Sequence, residues 1–168
     1  MCRIILQPIA EASWRATLTL AVRPDQQRFV ADVVPIAAIV LAKAFIRPGG
    51  KIWQPYAIYA DETLIGLVAL AFTQSSRDDY WIYHFFIDQR YQGQGHGSRS
   101  LQALLRLVAE QHPQCRVLQL TVHPENHPAQ RLYIRAGFEP SGEEFAGEPV
   151  YRYRMPDTDQ GASPDEST

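Results

Sequence analysis

Three glycines at alternate positions, Gly93, Gly95 and Gly97, lie between an apolar run ending Phe85-Phe86-Ile87-Asp88 and a stretch carrying Leu101, Leu104, Leu105 and Val108 at helical spacing. The order predicts a strand, a tight turn, and an amphipathic helix beginning near Gly95 and ending near Gln111 and Pro113. Residues without a Cβ take backbone angles that others avoid, so successive N–H groups of the turn can face inward. Together with the free N–H groups and positive dipole end of the helix, they make a cradle for a pyrophosphate. Arg90 and Arg99 stand where they add charge. The pattern also suits a glycine-rich surface turn that holds no ligand.

Dinucleotide binding is disfavoured. Ser98 stands where the G-x-G-x-x-G spacing needs its last glycine for close helix packing, and no Walker lysine follows. The acidic residue expected about twenty positions on, after a second strand, falls near Glu110, still inside the helix.

A chain of 168 residues suits one domain with a full core, and no linker divides it. That domain is expected over residues 1–155. The tail 156–168, rich in Asp, Gln, Gly, Ser, Pro and Thr without an apolar anchor, is expected to be disordered. The net charge of −2 argues against a partner bound mainly through its phosphates, such as bulk nucleic acid. The longest apolar run, Pro35 to Leu41, is too short to cross a bilayer, and the start of the chain lacks a secretory pattern. Only Cys2 and Cys115 occur, so a structural disulfide is not expected and a reducing cytoplasm is the natural compartment.

The coarse element order begins with a strand at about Arg3 to Gln7 and a helix from Ala10 to about Leu18. A second helical region carries Phe29, Val30, Val33, Ile36, Ala37 and Val40, with a kink at Pro35. Tyr56 to Ala60 and Thr63 to Phe72 read as a hairpin around Asp61-Glu62, and Tyr80 to Asp88 as a third β run. After the glycine turn and its helix come a strand from Val117 to Val122, a helix from about Asn126 to Ala136 stopped by Gly137, and a last strand near Val150 to Met155. Antiparallel hairpins thus lead into a β-α-β-α-β tail.

These residues resemble the GNAT superfamily of N-acetyltransferases, whose acetyl-CoA motif is Gln/Arg-x-x-Gly-x-Gly/Ala after a central strand. Gln92-Gly93-Gln94-Gly95-His96-Gly97 fits every position, and Asn126-x-x-Ala129-x-x-Leu132-Tyr133-x-x-x-Gly137-Phe138 follows it. The stretch Tyr80 to Asp88, with Pro24 to Ala31, is further similar to the bacterial diamine and spermine/spermidine acetyltransferase branch. The resemblance implies an α/β (α+β) fold: a mixed, mostly antiparallel sheet splayed between the fourth and fifth strands, with helices on both faces. It also implies acetyl-CoA as co-substrate, transfer to a primary amine such as a diamine or polyamine, and compatibility with a homodimer. Val33, Val34, Ile36 and Ile39 stand where that branch carries polar or acidic side chains, and His84 where arginine is common. A polyamine wants carboxylates, so a monoamine or more apolar amine also enters.

By the same resemblance, pantetheine pairs with the backbone of Phe85, Phe86 and Ile87, and the pyrophosphate lies on Gln92, Gly93, Gln94, Gly95, His96, Gly97 and Ser98. A strand N–H near Phe86 or Ile87 serves the developing oxyanion. Tyr133 is the candidate acid for the departing thiolate, since a phenol stays protonated at neutral pH; its place in the stripe Ala129, Leu132, Tyr133, Ala136 also fits plain core. Asn126 reads as both helix N-cap and cofactor contact. His84 is the candidate base for the incoming ammonium, although a strand histidine also suits packing. His123 and His127 flank a strand end and a helix start without further ligands, so no metal is expected. Glu11, Asp25, Asp32, Glu62, Asp78 and Asp79 are candidates to attract a cationic amine. Trp14, Trp53, Tyr56, Trp81 and Tyr83 are candidates to line an acceptor pocket. Cys115 has no neighbouring base, so direct transfer is expected rather than a covalent intermediate. The alternatives are an aminoglycoside, amino acid or protein N-terminus as acceptor, or a non-catalytic CoA-binding sensor.

Overall fold

The hairpin around Asp61-Glu62 forms as expected, with Asp61 left-handed at φ 54°, and a sheet is built outward from it. The computed structural model describes residues 1–157; from residue 158 on, the tail expected to be disordered lies outside the described residues. The strands are β1 (Ile4–Pro8), β2 (Ile52–Ala60), β3 (Thr63–Phe72), β4 (Tyr80–Ile87), β5 (Val117–Thr121), β6 (Glu139–Phe145) and β7 (Glu148–Arg154). They form a seven-stranded sheet in the order β1-β2-β3-β4-β5-β7-β6. Every neighbouring pair is antiparallel except β4 with β5.

Both faces of this sheet are covered, which is why β3 reads as an almost unbroken apolar run. On one face pack the helices α4 (His96–Gln111) and α5 (His127–Ala136), burying Leu101, Leu104, Val108, Tyr133 and Phe138 against Ile58, Leu70 and Leu118. On the other lie three shorter helices, α1 (Trp14–Thr17), α2 (Gln27–Val30) and α3 (Ile36–Ile46), whose Ile36, Ala37 and Val40 meet Trp53, Leu67 and Phe86. The mixed, mostly antiparallel sheet with helices on both faces is therefore present. Asn126 caps α5 by accepting from the Ala129 N–H at 3.3 Å, and Gly137, at φ 103°, ends it.

Two expectations are corrected, and one strand is added. The helix expected from Ala10 to Leu18 shrinks to Trp14–Thr17. Its neighbours satisfy the backbone with side chains instead: Ser13 Oγ accepts from the Ala10 N–H, and the Thr17 and Thr19 hydroxyls donate to the Trp14 and Ala16 carbonyls. The helical region around Pro35 is not kinked but cut in two between Val30 and Ile36. Proline bars its predecessor from the helical region and brings no N–H, so α3 starts after it. Strand β6 was not foreseen. It is an edge strand with mostly exposed residues on both faces, so it carries no alternation, and its register slips between Pro140 and Glu144.

What positions the site is the parting of β4 from β5. These strands pair only at Tyr80 with Leu118 and Trp81 with Gln119. Beyond that point the β5-facing edge of β4 has no strand partner among the described residues. The other edge carries a bulge: Leu67 pairs with Phe86 and Ala69 with Tyr83, so His84 and Phe85 together face Val68. His84 is left-handed at φ 52°, a conformation that costs a non-glycine residue on the order of 1–3 kcal/mol unless its surroundings hold it.

Gly66 on β3 lets the strands close behind the bulge, because a Cβ there would stand 2.4 Å from the Phe86 carbonyl oxygen. Gly66→Ala is expected to destabilise the fold by about 1–3 kcal/mol, the usual cost of overpacking, seen as a lower urea midpoint at unchanged slope.

Candidate active site

A cleft of about 460 Å³ opens where β4 and β5 part, with Phe85, Phe86 and Ile87 along one wall. Its floor is the turn Gln92 to Ser98, and Asn126, Leu132 and Tyr133 of α5 and its cap form the opposite side. Of the residues expected in the turn, Gln92, Gly93, Gly95, His96, Gly97 and Ser98 line the cleft. Gln94 instead gives its carbonyl to Arg99.

The turn is shaped by glycine at two of the three expected positions. Gly93 and Gly95 are left-handed at φ 74° and 78°, whereas Gly97 already belongs to α4. A Cβ on Gly93 or Gly95 would meet nothing within 4 Å, so the glycines serve the backbone path and leave the concave side open. The N–H groups of the first turn of α4 have no partners earlier in the helix and stand at its positive end. An anionic diphosphate fits this donor set.

Asp88 fixes the turn to the strand. Its carboxylate is 1% exposed and accepts from the Arg90 N–H at 2.9 Å, Arg90 Nε at 2.7 Å and the Ala21 N–H at 2.9 Å. Burial alone would raise its pKa, but the Arg90 and backbone hydrogen bonds outweigh this and hold the carboxyl below the usual range. The Gln92 side chain ties the other end: Nε2 donates to the Ile87 carbonyl, and its amide pairs with Gln26 and Arg23 ahead of α2. The expected roles of Arg90 and Arg99 are thus corrected. Arg90 is engaged with Asp88, and Arg99 donates to the Gly95 and Gln94 carbonyls and to His96 Nδ1. Arg99 faces a separate shallow groove of about 540 Å³ between β1 and α4, which holds none of the turn's glycines.

Tyr133 lies at the inner end of the cleft and also lines a small annex of about 70 Å³ shared with His84, Phe85, Val30 and Asn126. It is 8% exposed, with Phe138 edge-on at 5.6 Å, and burial raises its hydroxyl pKa well above the usual value. The phenol therefore keeps its proton throughout the neutral range.

His84 is held at both nitrogens. The Val30 carbonyl can only accept, so His84 Nδ1, 2.7 Å away, carries the hydrogen and Nε2 carries the lone pair. That lone pair faces Lys43 Nζ at 2.9 Å. Burial and the neighbouring Lys43 lower the His84 pKa, and burial lowers that of Lys43. Two basic nitrogens share one proton here, so His84 offers no free lone pair while Lys43 is charged. Lys43 escaped the reading of the sequence, although it is the one charged residue of α3 and the helix's otherwise apolar composition marked it out.

The remaining candidates separate. Trp53, Tyr83 and Trp81 form a row on the α3 face, Tyr83 lying 4.8 Å from Trp53 and 6.0 Å from Trp81. Tyr56 packs in the opposite core and bonds Gln54, and Trp14 sits on the surface. His123 lies against Phe29 and accepts from the Glu125 N–H. Among the described residues no group of three or more His, Cys, Asp or Glu is arranged for a metal, and no helix is long and apolar enough to cross a membrane.

The mixed sheet, parted beside a glycine turn at the start of a helix, is the architecture that the resemblance to acetyltransferases implied. The chain belongs to the GNAT acetyltransferase family, whose sequence model matches residues 23–138. It is similar to the spermine/spermidine N(1)-acetyltransferase of Bacillus subtilis, 36% identical over 104 residues that cover 58% of this chain and 68% of that protein. Among solved structures, the Salmonella typhimurium acetyltransferase that modifies the N-terminal serine of ribosomal protein L7/L12 matches with a TM-score of 0.71 at 19% identity, covering 91% of this chain and 95% of that one. Spermidine N-acetyltransferase from Vibrio cholerae, in complex with CoA and spermine, matches at 0.69 and 19% identity, covering 90% and 95%. At such identities the structural matches show the fold.

Asp88 yields a pH prediction. Its folded pKa is lowered, so its stabilisation is complete above the unfolded value of about 3.9 and drains away as pH falls through the folded value. Urea titrations from pH 7 to pH 3 are expected to show Asp88→Asn less stable at pH 7, with the gap to the parent closing below about pH 4.

Proposed function

We propose that this GNAT acetyltransferase moves the acetyl group of acetyl-CoA to a primary amine of a small molecule by direct attack. The observation that carries the reading is the continuity of one cleft from the glycine turn, along the unpaired edge of β4, to Tyr133. Acetyl-CoA supplies a thioester activated toward amines. Gln92 to Ser98 and the start of α4 would hold its diphosphate, the β4 edge at Phe85, Phe86 and Ile87 its pantetheine, and Asn126 a further polar contact.

Each remaining task falls to a group of this chain. A β4 N–H near Phe86 or Ile87 is assigned to the charge developing on the carbonyl oxygen. Tyr133, kept protonated by burial, gives its proton to the departing sulfur. Cys115 is buried and its thiol is pushed up to about 12, which disfavours a cysteine-linked intermediate and supports direct attack. His84, the expected base, takes a different part in this proposal. Its lone pair is engaged by Lys43, so it serves as a positioning residue, and the acceptor's proton leaves to solvent through the open cleft.

The names of the relatives offer spermine and spermidine as acceptors to assay first. A second reading, transfer to a protein N-terminus, takes its support from the Salmonella neighbour. The test is thiol release from acetyl-CoA against polyamines, aromatic monoamines, aminoglycosides and an N-terminal serine peptide, with CoA binding followed by calorimetry. Failure to bind CoA overturns the reading. CoA binding without turnover of any amine points to a sensor.

Tyr133→Phe removes one hydroxyl and little volume. It is expected to lower kcat by about 10²- to 10⁴-fold, the range of general acid catalysis, while the calorimetric affinity for CoA changes less than about threefold.

A further inference from the structure

The charges around His84 bear on what kind of amine could approach. Lys43 is half-buried, and its ammonium stands 2.9 Å from His84 Nε2, one imidazole away from the annex that His84 shares with Tyr133. It also sits over the rings of Trp53 and Tyr83, at 5.1 and 5.9 Å from their centroids. An aromatic seat that would welcome a substrate ammonium is therefore already filled by the chain's own cation.

Several of the carboxylates nearest the aromatic row and the annex are already engaged. Asp79 is paired with Lys51 and also accepts from Trp81 Nε1, Glu143 is paired with Arg152, and Glu125 accepts from Arg28 at 2.5 Å. None of the ion pairs among the described residues includes Lys43. Asp32, exposed in the link between α2 and α3, is the one acid whose charge reaches both Lys43 and His84. Beside Asp32, and alongside Glu144 next to Trp81, this side of the sheet offers apolar surface. Phe145, 51% exposed, extends the row at 5.3 Å from Trp81, and Val33 and Val34 are exposed a few residues beyond Val30 of the annex.

We propose that the acceptor is a primary monoamine on an apolar, ring-bearing body, and that Lys43 is the specificity-determining residue that turns diamines and polyamines away. The proposal rests on the transferase reading above and narrows its substrate class. A second ammonium on the acceptor would meet an unpaired like charge, whereas a ring would stack on Tyr83 and Trp81. The same cation favours the neutral, attacking form of a single amine placed beside it, because a like charge disfavours protonation.

The test compares phenethylamine with spermidine on the parent protein, Lys43→Met and Lys43→Arg, reading kcat/KM by thiol release and amine affinity for the CoA-bound protein by calorimetry. The parent is expected to favour phenethylamine at least tenfold in both readouts. Lys43→Met is expected to shrink that preference at least tenfold, chiefly through a lower KM for spermidine, while Lys43→Arg keeps it. A parent that favours spermidine, a preference unchanged in Lys43→Met, or a loss of selectivity in Lys43→Arg equal to that in Lys43→Met overturns the proposal. The two readings fail separately: the transferase reading falls only if CoA binds and no amine of the full panel turns over, and calorimetry then decides the amine class. Absence of binding by either amine overturns the proposal as well.

Discussion

Two parallel strands that part after two paired residues are the constraint on which the rest of this molecule depends. A strand edge inside a covered sheet is normally satisfied by a neighbour, and an unsatisfied buried backbone group costs as much as a lost hydrogen bond. Here β4 keeps β5 only at Tyr80 and Trp81, so its far half offers backbone donors and acceptors along the wall of a cleft. The bulge at His84 and Phe85 lies in that half, as does the strand end at Asp88 from which the glycine turn springs. Remove the divergence and the cleft closes, Tyr133 becomes ordinary core, and the turn presents its N–H groups to nothing.

The local parts of this arrangement were legible in the sequence. The glycine turn, the amphipathic α4 and the capped α5 between Asn126 and Gly137 each carry their signal within a few residues, because capping, left-handed turns and helical periodicity are short-range effects. The splay was legible only through a resemblance, since no spacing within β4 or β5 announces where two distant strands stop pairing. Strand β6 gave no sign because neither of its faces is well buried, so alternation had nothing to record. The break before α3 was half visible in Pro35, which announces an interruption without saying whether the chain bends or restarts. The Lys43 to His84 contact was invisible, because it spans 41 positions and depends on α3 lying across β4.

Charge is distributed here by local pairing rather than by net excess. A net charge of −2 gives little guidance, since what each acid can do depends on its partner. Asp88 shows how a buried carboxylate can serve structure. With its acceptor positions filled by Arg90 and two backbone amides, it spends its charge on aligning a loop and keeps none for a ligand. Lys43 is the reverse case, a half-buried cation whose nearest polar partner is a neutral imidazole. It forms no ion pair among the described residues, and the acid that acts on it, Asp32, does so only at a distance.

The amide of Gln92 meets the amide of Gln26 in a reciprocal pair while also holding the Ile87 carbonyl and receiving Arg23. One side chain thereby joins the anion turn, the end of β4 and the segment that leads into α2. For the history of such a chain this means that the two halves of the cleft cannot drift independently. A substitution that reshapes the entry to α2 is felt in the turn, and its effect will not add to that of a change at Gln92, because residues sharing one hydrogen-bond network are energetically coupled. Variation in the face that meets one ligand is thus restrained by the need to preserve the face that meets the other.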